Sequence, residues 1–405
     1  MTPIFLTSLF PNELRTEILK NSKGPIANAN DSLQWAYLKG ISDFHQDCRV
    51  ISSPNIGAFP FKYRSPYFKG GEFDAGFVRY GRCVGFLNLV AIKHFSRFLN
   101  IRRVLHGWIK QTKGEMVIVV YDLHPPFLMA ALLAKKSYPN AKICLIVPDL
   151  YDFTGNPKNL LYHFWGVFEK WMLNMCIPSV DAYVLISKHM KDRLPINKKP
   201  YIIIEGIYNP QKAEVVEVDK KAKDMKTVFY SGALNARNGI LFLVKSFKLI
   251  KQDNYRLLIC GDGESREEIK SEALKDKRII YKGQVPRGEA MKLQRSSTLL
   301  VSPRLPDNEF TKYSFPSKII EYLASGVPTL MYKLEGIPDE YYDHCYSLDD
   351  TSISSLADKI ESICQQSKEV LSAKGRSAQK FVYQNKNPHV QVDKMVKMVY
   401  KLFEQ

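Results

Sequence analysis

Short apolar runs rich in β-branched residues alternate with longer helix-patterned stretches, and the series starts twice. PIFLTSLF (3–10), EMVIVVYD (115–122), AKICLIVPD (141–149), DAYVLIS (181–187) and YIIIEG (201–206) read as buried strands. Between and around them, DSLQWAYLKGI (31–41), 87–110, 126–138 and 161–176 carry helical periodicity, and 76–81 adds a further strand. The stretch 11–30 reads as a long polar loop. The pattern restarts with TVFYSGAL (227–234), a helix over 239–250, then YRLLICGDG (255–263), RIIYKGQV (278–285), TLLVSP (298–303) and VPTLMYK (327–333). Strands apolar along their whole length, separated by helices, belong to parallel sheets covered on both faces. The fold class expected is therefore α/β, with two doubly wound, Rossmann-like domains.

The chain has 405 residues, which suits two domains. The domains are expected at 1–205 and 206–385, joined through a charged linker within 211–226. The last segment, 386–405, is helical in pattern (Val390, Val392, Met395, Met398, Val399, Leu402) and is free by sequence to stay with the second domain or cross back to the first. Seven cysteines show no C-x-x-C or zinc spacing, and Cys144 and Cys260 sit inside apolar runs, which fits a reducing compartment. The N-terminal apolar stretch is only about ten residues long, with no basic region before it, and reads as part of the fold rather than as a signal peptide. No apolar run reaches the ~18 residues of a membrane span.

The net charge is +17, and it is uneven. Residues 1–200 hold 26 Lys and Arg against 14 Asp and Glu, a net of +12. An anionic partner follows (nucleic acid, an acidic membrane or a phosphorylated substrate), beside the plainer reading of a basic solvated surface. Nucleic-acid binding lacks an RRM, KH or helix-turn-helix signature and is not expected. Ten of the basic residues fall in 59–110: Lys62, Arg64, Lys69, Arg79, Arg82, Lys93, Arg97, Arg102, Arg103 and Lys110. Aromatic residues are interleaved with them, as at an anionic membrane surface; the alternative is a helix packed on its own sheet.

Open parallel sheets bind ligands beyond the carboxyl ends of their strands, and two in tandem would set those ends across a cleft. In SFPSKIIEYLASGVPTL (314–330), Pro316 is expected in the first turn of a helix and Gly326 with Pro328 at its end. Ser317 and Lys318 suit a phosphate at the helix tip, and Glu321 can accept two hydrogen bonds from a ribose diol. A Lys–Glu pair on a surface helix is the plainer alternative. In SGALNARNG (231–239), Gly232 admits close backbone approach and Arg237 suits a pyrophosphate. In the first half, Asn28, Asn30 and Asp31 are helix-capping types or a loop touching donor phosphate or acceptor. Asp149 and Asp152 flank a strand end, to touch an acceptor or to cap a turn.

TVFYSGALNARNGI, LLICGDG, YKGQVP and SFPSKIIEYLASGVPTL, in this order, resemble the nucleotide-sugar half of the family-four, GT-B-fold retaining glycosyltransferases of bacterial capsule, O-antigen and exopolysaccharide assembly. YDLHPP, VPDL, SVDAYVLISKHM and IIIEGIYNP extend the likeness into the first half. The resemblance implies a UDP- or GDP-sugar donor, no cofactor, no metal, a lipid-linked saccharide acceptor and a place at the cytoplasmic face of the membrane. It implies that Glu321 binds the donor ribose. Ser317, Lys318 and the backbone at Phe315 and Pro316 meet the diphosphate and sugar, Gly261 and Val285 lie near the nucleobase, Arg237 takes the diphosphate, and His124 faces the donor sugar. Two departures stand out. Ala233 follows Gly232 and Asn238 precedes Gly239 in the loop that usually reads Arg…Lys-Gly, and Tyr313, not an acid, stands eight residues before Glu321. Tyr313 or a displaced Glu309 does the work of that acid, or the donor sugar lacks the hydroxyl it reads. A nucleotide-sugar epimerase of the same fold is the rival enzyme, and a nonenzymatic nucleic-acid-binding protein using the basic first half is the rival from another class.

Overall fold

The structure is a computed structural model and describes residues 1–24, 26–78, 80–90, 92–150, 160–210 and 225–404, with the side chains of 160–165 not described. Most of the expected linker, Arg79, Asp152 and much of the loop after residue 149 therefore lie outside the described residues. The chain divides into two compact units, Met1–Asn209 with Pro388–Gln405, and Pro210–Asn387.

The first unit runs β1 (Thr2–Thr7), α1 (Asn12–Asn21), α2 (Asn28–Phe44), β2 (Arg49–Ser52), β3 (Tyr67–Phe68), β4 (Gly71–Phe73), β5 (Tyr80–Cys83) and β6 (Phe86–Leu87). It continues with α3 (Lys93–Gln111), β7 (Met116–Tyr121), α4 (Pro125–Ser137), β8 (Ala141–Val147), α5 (Leu160–Cys176), β9 (Ala182–Leu185) and β10 (Tyr201–Ile203). Its main sheet has the order β10-β9-β8-β7-β1-β2-β5-β4. All neighbours are parallel except β4 and β5, and β3 pairs with β6 separately. The order reverses between β1 and β7, so the loops after these two strands flank a switch point.

The second unit runs β11 (Lys226–Ser231), α6 (Ile240–Phe247), β12 (Tyr255–Cys260), α7 (Arg266–Lys275), β13 (Ile279–Gly283), α8 (Arg287–Arg295), β14 (Leu299–Ser302), α9 (Lys318–Ala324), β15 (Thr329–Tyr332), β16 (Tyr346–Leu348), α10 (Ile353–Cys364) and α11 (Lys368–Asn385). The sheet order is β13-β12-β11-β14-β15-β16, wholly parallel, with its switch point between β11 and β14. Strand alternation makes the two-sided burial explicit. Val228, Leu257, Ile259, Leu299 and Val301 enter one core, whereas Phe229, Leu258, Cys260 and Leu300 enter the other.

The last helix, α12 (Pro388–Tyr400), leaves the second unit and inserts Val392, Met395, Val396, Met398 and Val399 into the core of the first. Gly40 on α2 makes this contact possible, since a Cβ there would meet Val392 Cγ2 at 2.4 Å and the Pro388 carbonyl at 2.5 Å.

Three sequence expectations are corrected. The 11–30 stretch is not a loop throughout, because Leu14 and Ile18, one turn apart, pack into the core and wind it as α1. Asn28, Asn30 and Asp31 do not cap α2: the helix already begins at Asn28, with Ala27 before it. Pro316 is not in the first turn of α9, which starts at Lys318. A proline disfavours helical torsions in the residue before it, so the chain turns only after Pro316, whose carbonyl accepts from the Ile319 N–H at 2.9 Å. All seven cysteines are buried thiols. Among the described residues no helix is long and apolar enough to cross a membrane.

Candidate functional site

At the carboxyl edge of the second sheet, the loops after β11, β12 and β14 pack backbone on backbone. Gly261, at φ +137°, passes so close to the Gly232 carbonyl that a Cβ would sit 1.9 Å from that oxygen. Gly239, at φ +74°, makes the same approach to the Pro303 carbonyl. Only glycine meets both demands, of torsion and of space. Hydrogen bonds lock the loops: Gly232 N–H to Cys260 O (3.1 Å), Leu234 N–H to Asp262 O (2.9 Å) and Ser265 N–H to Leu234 O (2.9 Å).

Arg237 lies in a 3-10 turn, Ala236–Asn238, just before α6. Its guanidinium is 6.0 Å from the centroid of the Phe310 ring, and that of Arg304 is 5.3 Å from it. Arg304 Nη2 donates to Asn238 Oδ1 at 2.8 Å, and Nη1 reaches Ser314 Oγ at 3.5 Å. Desolvation, with nearby Arg237 adding to it, lowers Arg304 to about 10, still cationic at neutral pH. Two guanidiniums thus meet at the switch point, one from each flanking loop. Arg304 escaped the sequence reading because nothing but its place after a strand marks it.

Around α9 a second cluster forms. Lys318 Nζ is 2.6 Å from Glu321 Oε2, and Arg287 Nη2, at the start of α8, is 3.6 Å from Glu321 Oε1. Arg287 was also missed by sequence. Gln294 Nε2 donates to the Glu321 carbonyl at 2.9 Å, and the Tyr322 hydroxyl accepts from the Ser231 N–H at 2.7 Å, which fastens α9 to the end of β11. Ser317 is exposed, and Phe315 and Pro316 are buried. The Phe315 ring packs on Tyr341. Val285 is half-buried between β13 and α8. Tyr313 and Glu309 are the two ends of one 3-10 turn, Glu309–Tyr313, Tyr313 half-buried and Glu309 exposed.

In the first unit, His124 follows β7 at the switch point and precedes α4. Its Nε2 is 3.0 Å from Arg97 Nη1, and its ring stacks on His94 at 5.4 Å. Desolvation and the nearby cations Arg97 and Lys93 hold His124 well below the usual imidazole range. Desolvation, with the Asp149 carboxylate adding to it, pushes Asp122 up to about 6. Asp149 itself is exposed. Asn28 Oδ1 accepts from Arg15 Nη2 (2.8 Å) and Asn30 Oδ1 from Gln34 Nε2 (2.6 Å). Asp31 accepts from the Phe10 N–H (2.7 Å) and from Arg15 (2.6 Å), tying the loop after β1 to α2.

The basic stretch 59–110 is split. Lys93 and Arg97 are buried, as are Tyr63 and Phe68. Lys62, Arg64, Lys69, Arg82, Arg102, Arg103 and Lys110 are exposed. Two of the expected surface charges therefore serve the interior of the unit. Among the described residues, no group of three or more His, Cys, Asp or Glu is placed to hold a metal ion.

Residues 211–386 match the family of glycosyl transferases group 1. No curated protein matches the chain in sequence. In fold the chain is similar to a sucrose-phosphate synthase from Thermosynechococcus elongatus (15% identity, TM-score 0.64, 100% of both chains covered). It is similar to the HepE protein of Anabaena, solved in complex with UDP (11% identity, TM-score 0.62, covering 99% of this chain and 100% of that one). It is also similar to the apo form of the lipopolysaccharide outer core galactosyltransferase WaaB (14% identity, TM-score 0.61, 99% of each chain). The chain has the GT-B fold, and its residues 211–386 match the glycosyl transferases group 1 family.

Proposed function

We propose that this protein is a retaining, metal-independent hexosyltransferase of cell-surface polysaccharide assembly. It moves a hexose or amino-hexose from a UDP- or GDP-sugar to a lipid-linked saccharide at the cytoplasmic face of the membrane. The observation that carries this reading is the convergence, within the 211–386 match, of Arg237 and Arg304 on one switch point, with Lys318 and Glu321 on the helix that follows. Loops at a switch point are where doubly wound sheets bind nucleotides. That one similar structure is a complex with UDP adds weight to a nucleoside diphosphate.

In this reading Arg237, Arg304 and Lys318 take the diphosphate. Negative charge grows on the departing diphosphate as the glycosidic bond breaks, so fixed cations stabilise the transition state more than the ground state. Glu321 accepts from the ribose hydroxyls once Lys318 turns to phosphate. The donor's own phosphate oxygen assists the incoming hydroxyl on the same face, which retains the anomeric configuration. Calorimetry with UDP and GDP tests the site: binding that requires Arg304 and Arg237 is expected, and no heat with either nucleotide would refute the reading.

Access to a lipid-linked acceptor calls for a membrane-facing surface, and we assign it to α3 and α5. Phe95 and Leu99 on α3 are exposed, as are Val167, Phe168, Trp171 and Met175 on α5. His94 and Glu169, 3.7 Å apart, bring these two faces together. Arg102, Arg103 and Lys110 continue the exposed side of α3. An apolar patch bordered by cations suits an anionic lipid surface.

A further inference from the structure

We infer that Arg97 fixes His124 as the imidazole tautomer protonated on Nδ1, and that Nδ1–H is the donor His124 offers to a ligand. Arg97 is then a positioning residue, acting through His124. The argument starts from donor inventory. A guanidinium has only donors, so the nitrogen 3.0 Å from Arg97 Nη1, His124 Nε2, must be the bare, accepting one. In a neutral ring the proton then sits on Nδ1.

Arg97 has little freedom to do otherwise. It is 1% exposed. Its Nε donates to Ser53 Oγ at 2.7 Å, and Nη2 donates to the Ser53 carbonyl and to the Pro54 carbonyl, the latter at 3.1 Å. The rings of Phe86 and Phe127 lie 5.1 and 6.0 Å from the guanidinium carbon. The guanidinium is thus aimed from several sides, and His124 Nε2 takes the hydrogen bond of Nη1. His124 is confined as well, stacked on His94 and tilted against Phe127 at 4.9 Å. The charged groups that face it are Arg97 and Lys93, with His94 alongside, and all three disfavour a second proton on the ring. Asp122, two residues before, has its carboxyl raised towards neutrality.

Nδ1 is shielded from solvent and has no hydrogen-bond partner among the described residues. Buried polar atoms of native proteins nearly always have a partner, so an unmatched donor at a switch point is a group held for a ligand. An Nδ1–H can donate to a sugar hydroxyl oxygen, the group that the family resemblance brings to it. The tautomer stands on geometry alone; its consequence for transfer rests on the proposed glycosyl transfer and on the expectation, drawn from the family resemblance, that His124 faces the donor sugar.

Nitrogen-edited NMR of the histidine-labelled full chain reads the tautomer directly. A protonated Nδ1 and a bare Nε2 are expected for His124, and the reverse pattern would overturn the inference whatever the activity. Arg97→Met is expected to release the ring to the Nε2-protonated form. Should that variant fail to fold, Ser53→Ala, which removes one of the groups aiming Arg97, is expected to give a mixed tautomer. A pair of isosteres reads the consequence. An asparagine amide nitrogen occupies the place of Nδ1, and a glutamine amide nitrogen that of Nε2. His124→Asn is expected to retain about tenfold more transfer than His124→Gln, the worth of one hydrogen bond. Equal losses, or the opposite order, would overturn the role of Nδ1–H. A parent chain that turns over no nucleotide sugar, with the tautomer as inferred, would instead refute the proposed function.

Discussion

Glu321 stands between two cations, Lys318 and Arg287, and about a third of its side chain is exposed. The Lys–Glu pair expected of this edge is present, and the ribose acceptor of the proposed function would be the same carboxylate. Glu321→Gln keeps the shape and removes the charge. Its hydrogen bonds to a ribose diol are charge-assisted, so the loss expected in nucleotide affinity by calorimetry is about 1.5–3 kcal/mol, with the thermal midpoint nearly unchanged. Unaltered affinity would remove Glu321 from the site. Lys93 was read as a surface charge, but it is buried and donates to the Ile56 carbonyl, and desolvation together with Arg97 lowers its ammonium to about 7. Between about pH 7 and pH 10.5 the unfolded chain keeps a proton that the folded one has shed, so this site's contribution to stability rises with pH across that window. Lys93→Met removes the penalty and is expected to raise the thermal midpoint relative to the parent by more at about pH 6 than at about pH 9.5. A gain independent of pH would contradict the buried charge. Sequence could not separate Lys93 and Arg97 from Arg102 and Arg103, because a helix patterned on both sides shows which residues share a face but not which face the sheet covers.

At the scale of elements, the strands were legible because full apolar runs of 4–7 residues admit little else, and five of the six strands of the second sheet fall inside or beside them; the edge strand β16, three residues long, has no such run. The edge strands β3, β4 and β6 were not, being only two or three residues long. The helix α9 begins later than its proline suggested, for the torsional reason given above. The glycines of the site loops are legible only in part: GDG alone reads as a turn, while the structure has Gly261 pressed on Gly232 and Gly239 on Pro303. Gly261→Ala must strain its torsions and shift one of two backbones. A cost of about 1–3 kcal/mol is expected from the torsions alone, with nucleotide affinity falling alongside the thermal midpoint. A variant as stable as the parent and binding as well would show that these loops have room the structure denies.

At the scale of the whole molecule, the sequence made two domains plain and left the last helix open; the structure gives α12 to the first unit. Its net charge of +17 did not say where the charge works, because part of it is internal. The exposed apolar residues of α3 and α5 are the proposed membrane-facing surface. Sedimentation with anionic vesicles should weaken in Arg102→Glu with Arg103→Glu, by about 1 kcal/mol per charge close to the surface. It should weaken further in Phe168→Ser with Trp171→Ser, and a part of it should survive salt in the parent, because apolar contact is not screened. Binding indifferent to both pairs would put the contact elsewhere. The central claim, glycosyl transfer, has a more direct test. Incubation of the full chain with a panel of UDP- and GDP-sugars and a lipid-linked saccharide extract, in EDTA, can be followed by mass spectrometry and anomeric NMR. One donor should release its nucleoside diphosphate and add one hexose or amino-hexose to an acceptor with its configuration retained. Turnover of a donor to an isomeric sugar without acceptor, or no turnover of any donor with or without added divalent metal, would contradict the account.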